Sequence, residues 1–253
     1  MTIAMNPWVV ASAINTLLLA IAWLLPKKLL TPAGYFHAWG LGVIVWGCLG
    51  WQGYGVVMLY FLIGSGVTRI GMAEKEAAGI AEKRSGARGP ENVWGSALTA
   101  TVCALGVAIV SSGVFPLSAT WIPLLYLGYV ASFSTKLSDT TASEVGKAYG
   151  KRTFLITTLQ PVAPGTEGAI SLEGTLAGIL GSAVIAGSAW GMGVITGVGV
   201  LVCLVAAFIA TNFESVIGAT LQESVPWLTN ELVNIVNTTV GALVAIALAL
   251  IVQ

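Results

Sequence analysis

Asp139 is the sole aspartate of the chain, and it stands four residues before Ser143 and eight before Lys147. On a helix these three side chains share one face. A carboxylate, a hydroxyl and an ammonium so arranged suit a hydrated Mg²⁺ bridging to a polyphosphate, because magnesium takes only one or two protein carboxylates and fills its shell with water and substrate oxygens. The same stretch, residues 134–178, also holds Glu144, Lys151, Arg152, Glu167 and Glu173. Pro161, Pro164 and Gly165 turn the chain back, which returns Thr166, Glu167, Ser171 and Glu173 to the same mouth. Carboxylates interleaved with cations and hydroxyls, between long apolar runs, point to a site more than to side chains reaching for water.

Two further polar segments can serve that site. Residues 69–92 begin with a short helical pattern and continue as a basic, glycine-bearing loop containing Arg84, Gly86, Arg88 and Gly89. There the glycines let backbone N–H groups approach an anion while the guanidinium groups neutralise it. The bland alternative is an anchor on anionic lipid headgroups. The other segment runs from Asn212 and Glu214 through Gln222 and Glu223 to Asn230, Asn234 and Asn237. The last three fall on one helical face, and burying amides in hydrocarbon is costly, so that face looks inward to a polar cavity. One asparagine is explained by a helix–helix hydrogen bond; three beside Glu214 favour a ligand.

The elements that must position these residues are apolar. Of the 253 residues 56% are hydrophobic and 9% charged, against about a quarter charged in soluble domains. The fold class is therefore all-α, a polytopic integral membrane protein, read as one domain over residues 1–253. Spans of roughly 20 apolar residues or somewhat fewer are expected over residues 8–25, 33–49, 54–70, 93–112, 117–133, 175–189, 191–211 and 233–252, about eight transmembrane helices. The eleven Lys and Arg residues all follow the first, third and fifth of these. The positive-inside rule then places the N-terminus outside and the polar loops on the cytoplasmic face. Residues 1–7 lack the basic leader of a signal peptide, so the first apolar run is expected to stay as a span.

Other signals exclude chemistry. Formal net charge is zero, with no basic face for nucleic acid. Cys48, Cys103 and Cys203 lie inside apolar runs without metal spacing, and His37 begins a span as an interfacial ring. No Ser-His-Asp set, zinc spacing or Walker motif supports a covalent nucleophile or a P-loop. Glycines four apart, such as Gly174 and Gly178, read as close helix packing.

The central stretch resembles membrane-embedded CTP-dependent enzymes, the dolichol and phytol kinases and the phosphatidate cytidylyltransferases. The matching positions are Asp139, Ala142, Gly146 and Gly150, then Ser171-Leu172-Glu173-Gly174 opening a glycine-rich span. Nearer still is the family of plastid and cyanobacterial phytyl-phosphate kinases, which residues 78–97, 138–151, 164–178 and 212–222 resemble in order across most of the chain. Ile170 departs from the lipid-alcohol kinases, which often carry a lysine there. The resemblance implies phosphoryl transfer from CTP, or another nucleoside triphosphate, onto an isoprenoid monophosphate such as phytyl phosphate, serving tocopherol and prenyl-lipid synthesis. It implies Mg²⁺ as cofactor, membrane lipids as surroundings, and a bacterial or thylakoid membrane or plastid envelope as location. On that reading Asp139, Glu167 and Glu173 hold the metal, Glu144, Lys147, Lys151 and Arg152 join the catalytic set, and Arg84, Arg88, Ser143, Thr166, Ser171, Asn212, Glu214, Asn234 and Asn237 bind nucleotide or phosphate. The prenyl tail lies between spans. The competing readings are a lipid cytidylyltransferase and a transporter of a small solute or ion; charge gathered at one surface without a repeat argues against transport. Oligomeric state is left open.

Overall fold

The computed structural model describes residues 6–114, 118–222 and 224–252. The first five residues, the expected start of the fifth span at residue 117, and Glu223 lie outside the described residues. Eight α-helices carry the fold: α1 (Pro7–Leu24), α2 (Pro32–Val67), α3 (Met72–Ala77), α4 (Pro90–Ser112), α5 (Trp121–Tyr149), α6 (Leu172–Gly191), α7 (Gly197–Ile217) and α8 (Asn230–Val252). Their starts follow from sequence: the side chains of Asn6, Thr31, Ser171 and Thr196 each accept a first-turn backbone N–H, and Pro7 and Pro32 sit where a missing N–H does no harm. Among the described residues the strands are limited to a two-residue antiparallel pair in the loop after α5. Its strands are β1 (Phe154–Leu155) and β2 (Ala169–Ile170), with Phe154 opposite Ile170.

Among the described residues six helices are long and apolar enough to cross a membrane: α1, α2, α4, α6, α7 with the wide turn that follows it, and α8. The 36-residue α2 is two arms. Gly50 breaks it with φ 68° and ψ −164°, a backbone region almost confined to glycine. A Cβ on Gly34 would meet the Arg88 carbonyl oxygen at 2.4 Å, and one on Gly64 would meet the Arg88 guanidinium at 2.8 Å. In a straight helix those two glycines would be about 45 Å apart. The chain therefore doubles back at Gly50, and its arms coincide with the expected spans 33–49 and 54–70.

The fifth expected span, ending at Phe133, is corrected by α5, which continues without a break to Tyr149. Residues 138–150 are thus not a separate loop helix but the last turns of the central element. That second half stays helical because α6, α7 and α8 pack around it. Tyr129, Val130, Ala131, Phe133 and Leu137 on α5 are fully buried. Small residues permit this crowding. A Cβ on Gly174 would lie 2.6 Å from the Ala142 carbonyl, one on Gly178 3.0 Å from that of Ser138, and one on Gly241 2.1 Å from Thr135 Oγ1. The four-residue glycine spacing of α6 is thus a packing face against α5.

Candidate functional site

The polar end of this bundle encloses a cavity of about 920 Å³. The second half of α5 forms its wall, supplying Lys136, Asp139, Ser143, Glu144 and Lys147. The strap between α3 and α4 adds Arg84 and Arg88; Thr166, Glu167 and Ser171 come from the loop before α6, Asn212 and Glu214 from α7, and Asn234 from α8. Asn212 and Glu214, expected in a loop, occupy the last turns of α7, because that helix continues to Ile217.

At the floor, Lys136 Nζ donates to Asp139 Oδ2 at 2.6 Å and to Asn234 Oδ1 at 2.7 Å. All this lies in a buried setting, with Lys136 8% and Asp139 7% exposed. An ammonium has three donors, so one remains for an anion entering the cavity. Glu214 lies within electrostatic range of Asp139, Lys136 and Glu167.

Glu144 is held differently. It is ion-paired with the buried Lys75, which also donates to the Thr68 carbonyl at 2.9 Å, and Lys147 Nζ stands 3.9 Å from its other oxygen. The pair clamps α3, and with it the start of the basic strap, onto α5. At the strap's far end Arg88 donates to Tyr60 Oη at 2.7 Å and lies over that ring at 5.1 Å from its centroid. Arg84 pairs with Glu91 and donates to Asn92 Oδ1 at 2.9 Å. Ser171 Oγ accepts the Gly174 N–H at 3.1 Å and so caps α6, and Ser171, Gly174 and Thr175 at its start line the cavity.

Four expected site residues are not brought to the cavity. Lys151 and Arg152 are exposed, carried outward where Gly150 leaves the helix in an extended conformation. Glu173 sits one position before Gly174, whose face is turned to α5, and does not line the cavity. Asn237 is fully buried, and neither of its amide atoms has a partner among the described residues. Lys136, Lys75 and Tyr60 were not singled out from the sequence. Lys136 did carry a signal, its one-turn spacing from Asp139.

Among the described residues no three His, Cys, Asp or Glu side chains stand together as a metal cage. The expected metal set of Asp139, Glu167 and Glu173 is therefore not assembled as three. What remains, Asp139 with Glu167 or Glu214 in the same cavity, fits the sparse carboxylate set of magnesium held mainly by substrate oxygens and water.

A family model described as "Integral membrane protein DUF92" matches residues 15–242. An uncharacterized membrane protein of Synechocystis is 65% identical over 242 residues, which is 96% of this chain and 91% of the relative. "Protein VTE6, chloroplastic" of Arabidopsis thaliana is 44% identical over 241 residues, 94% of this chain and 71% of the relative. An uncharacterized membrane protein of Methanocaldococcus jannaschii is 32% identical over 192 residues, 76% of this chain and 74% of the relative. No solved structure matches.

Proposed function

The chain belongs to the integral membrane protein DUF92 family, and from that premise we propose that it is a membrane kinase. It transfers a phosphoryl group from a nucleoside triphosphate, CTP by preference, to an isoprenoid monophosphate. The carrying observation is the 920 Å³ cavity, which brings the buried Lys136–Asp139–Asn234 cluster together with Arg84, Arg88 and the start of α6. Two polyanions must approach one another there, and several cations around one cavity are what such an approach requires. The similarity to the phytyl-phosphate kinases in residues 138–151 and 164–178, with a chloroplastic relative at 44% identity, supports phytyl phosphate as the acceptor type.

In this reading a terminal oxygen of the acceptor monophosphate bonds to the γ-phosphorus, the bond to the β,γ-bridging oxygen breaks, and the nucleoside diphosphate leaves. The acceptor is already ionised near neutral pH, so no strong general base is needed. Lys136 offers its third donor to the transferring group, Arg84 and Arg88 offset the donor's charge, and Ser171 at the start of α6 takes the acceptor phosphate. Magnesium, held by Asp139 with Glu167 or Glu214 in reach, would neutralise charge on the transferring phosphoryl group. Counting both arms of α2 and the apolar half of α5 as crossings gives eight spans, and the distribution of Lys and Arg supports a cytoplasmic cavity by the positive-inside rule.

The test is product analysis. Purified protein with Mg²⁺, CTP or ATP, and phytyl or geranylgeranyl monophosphate is expected to yield a prenyl diphosphate and the nucleoside diphosphate. A CDP-lipid with pyrophosphate would make it a cytidylyltransferase instead. No prenyl diphosphate with any nucleotide overturns the kinase reading.

A further inference from the structure

The cavity mixes polar and apolar lining, and along one stretch the two are ordered. Where α6 meets α7 its lining descends from Ser171 through Gly174, Thr175 and Gly178 to Ile179, and on α7 from Ser215 through Asn212 and Thr211 to Phe208. Both sequences follow a helical stripe that begins in hydroxyls and ends in a large apolar side chain. Ile179 is twelve residues before the end of α6 at Gly191, and Phe208 is eleven after the start of α7 at Gly197. The helices are joined by a short turn and pack together, so the two side chains stand level. The stripe drops about 12 Å from Ser171 to Ile179. Ile179 and Phe208 line the cavity and are 39% and 47% exposed. Around them Leu176, Leu180, Val205 and Ile209 are exposed as well, the surface of a protein facing hydrocarbon.

We propose that the cleft between α6 and α7 is the doorway through which the acceptor's hydrocarbon tail passes from the cavity into the bilayer, gripped by Ile179 and Phe208 about 12 Å below the phosphate. The inference rests on the kinase reading for its substrate, but the cleft would receive any phosphate-headed lipid chain. The change from hydroxyl to apolar lining along both helices matches the change from phosphate to hydrocarbon along the ligand. A second apolar groove of about 400 Å³, between α1 and the first arm of α2 and lined by Leu19, Trp23 and Phe36, is not continuous with the polar cavity.

Two measurements decide it. A prenyl monophosphate carrying a diazirine in its chain, photolysed with the whole protein in nanodiscs, should label residues 175–183 and 204–212. Geranylgeranyl monophosphate should compete the label away. Labelling of the α1–α2 groove, or labelling spread over all lipid-facing helices, overturns the doorway. This readout needs no turnover, so it stands even if the kinase assay fails. In kinetics, Ile179→Trp and Phe208→Trp should each raise KM for geranylgeranyl monophosphate by about tenfold or more. Dimethylallyl monophosphate turnover and the KM for nucleotide should stay as in wild type. Parallel loss with both acceptors overturns the assignment.

Discussion

Lys136 has two of its three donors committed, to Asp139 and Asn234, and stands at the floor of the cavity. A buried pair of this kind is weak evidence for stability but costly to break, since truncating one partner leaves the other charge uncompensated at about 3–5 kcal/mol. Asp139→Asn is therefore expected to abolish prenyl-diphosphate formation and to lower Tm in detergent. The double change Lys136→Met with Asp139→Leu should recover most of the Tm and none of the activity. A double variant no more stable than the single would remove the pairing from this account. Asp139, Ser143 and Lys147 were readable in advance because their four-residue spacing is a helical signal. Lys136 was counted only as a loop cation, because the apolar run ends at Phe133 while the helix does not. Backbone hydrogen bonding is indifferent to side-chain polarity, and a composition window is not.

The elements were readable where apolar length alone defines them: α1, α4, α6 and α8 match the expected spans within three residues, while α7 begins and ends six residues later than expected. The reach of α5 was not, since its polar half is stabilised by neighbours distant in sequence, notably the glycine face of α6. Nor was the clamp of Lys75 on Glu144, which joins positions 69 residues apart. The doubling of α2 was expected as two spans, but its hinge rests on a single residue. Gly50→Val would force a β-branched side chain into φ 68°, ψ −164°, costing about 1–3 kcal/mol. A lowered Tm with unchanged nucleotide KM is the expected outcome. A Tm equal to wild type would show that the turn tolerates side chains and that the arms are held by Arg88 alone.

At the scale of the whole molecule, charge lies at one end of the bundle and an apolar girdle surrounds the rest. The proposed topology places Thr158 and Ser118 on opposite sides of the membrane. Cysteines introduced there should react with an impermeant maleimide in oppositely oriented vesicles: Thr158→Cys from the cytoplasmic side, Ser118→Cys from the other. The native Cys103 and Cys203 are buried, whereas Cys48 is half-buried, so both variants are made in a Cys48→Ser background. Labelling of both from one side would end the eight-span arrangement. The floor of the cavity also imposes an order of assembly. Lys136 and Asp139 are one helical turn apart, whereas Asn234 follows Lys136 by 98 residues. At ordinary rates of synthesis about 5–20 s elapse between them. Through that interval α5 already carries its countercharge within itself, so the nascent helix presents the bilayer with a closed pair rather than a bare ammonium. Asn234 then arrives to orient a charge that was compensated before its partner helix existed.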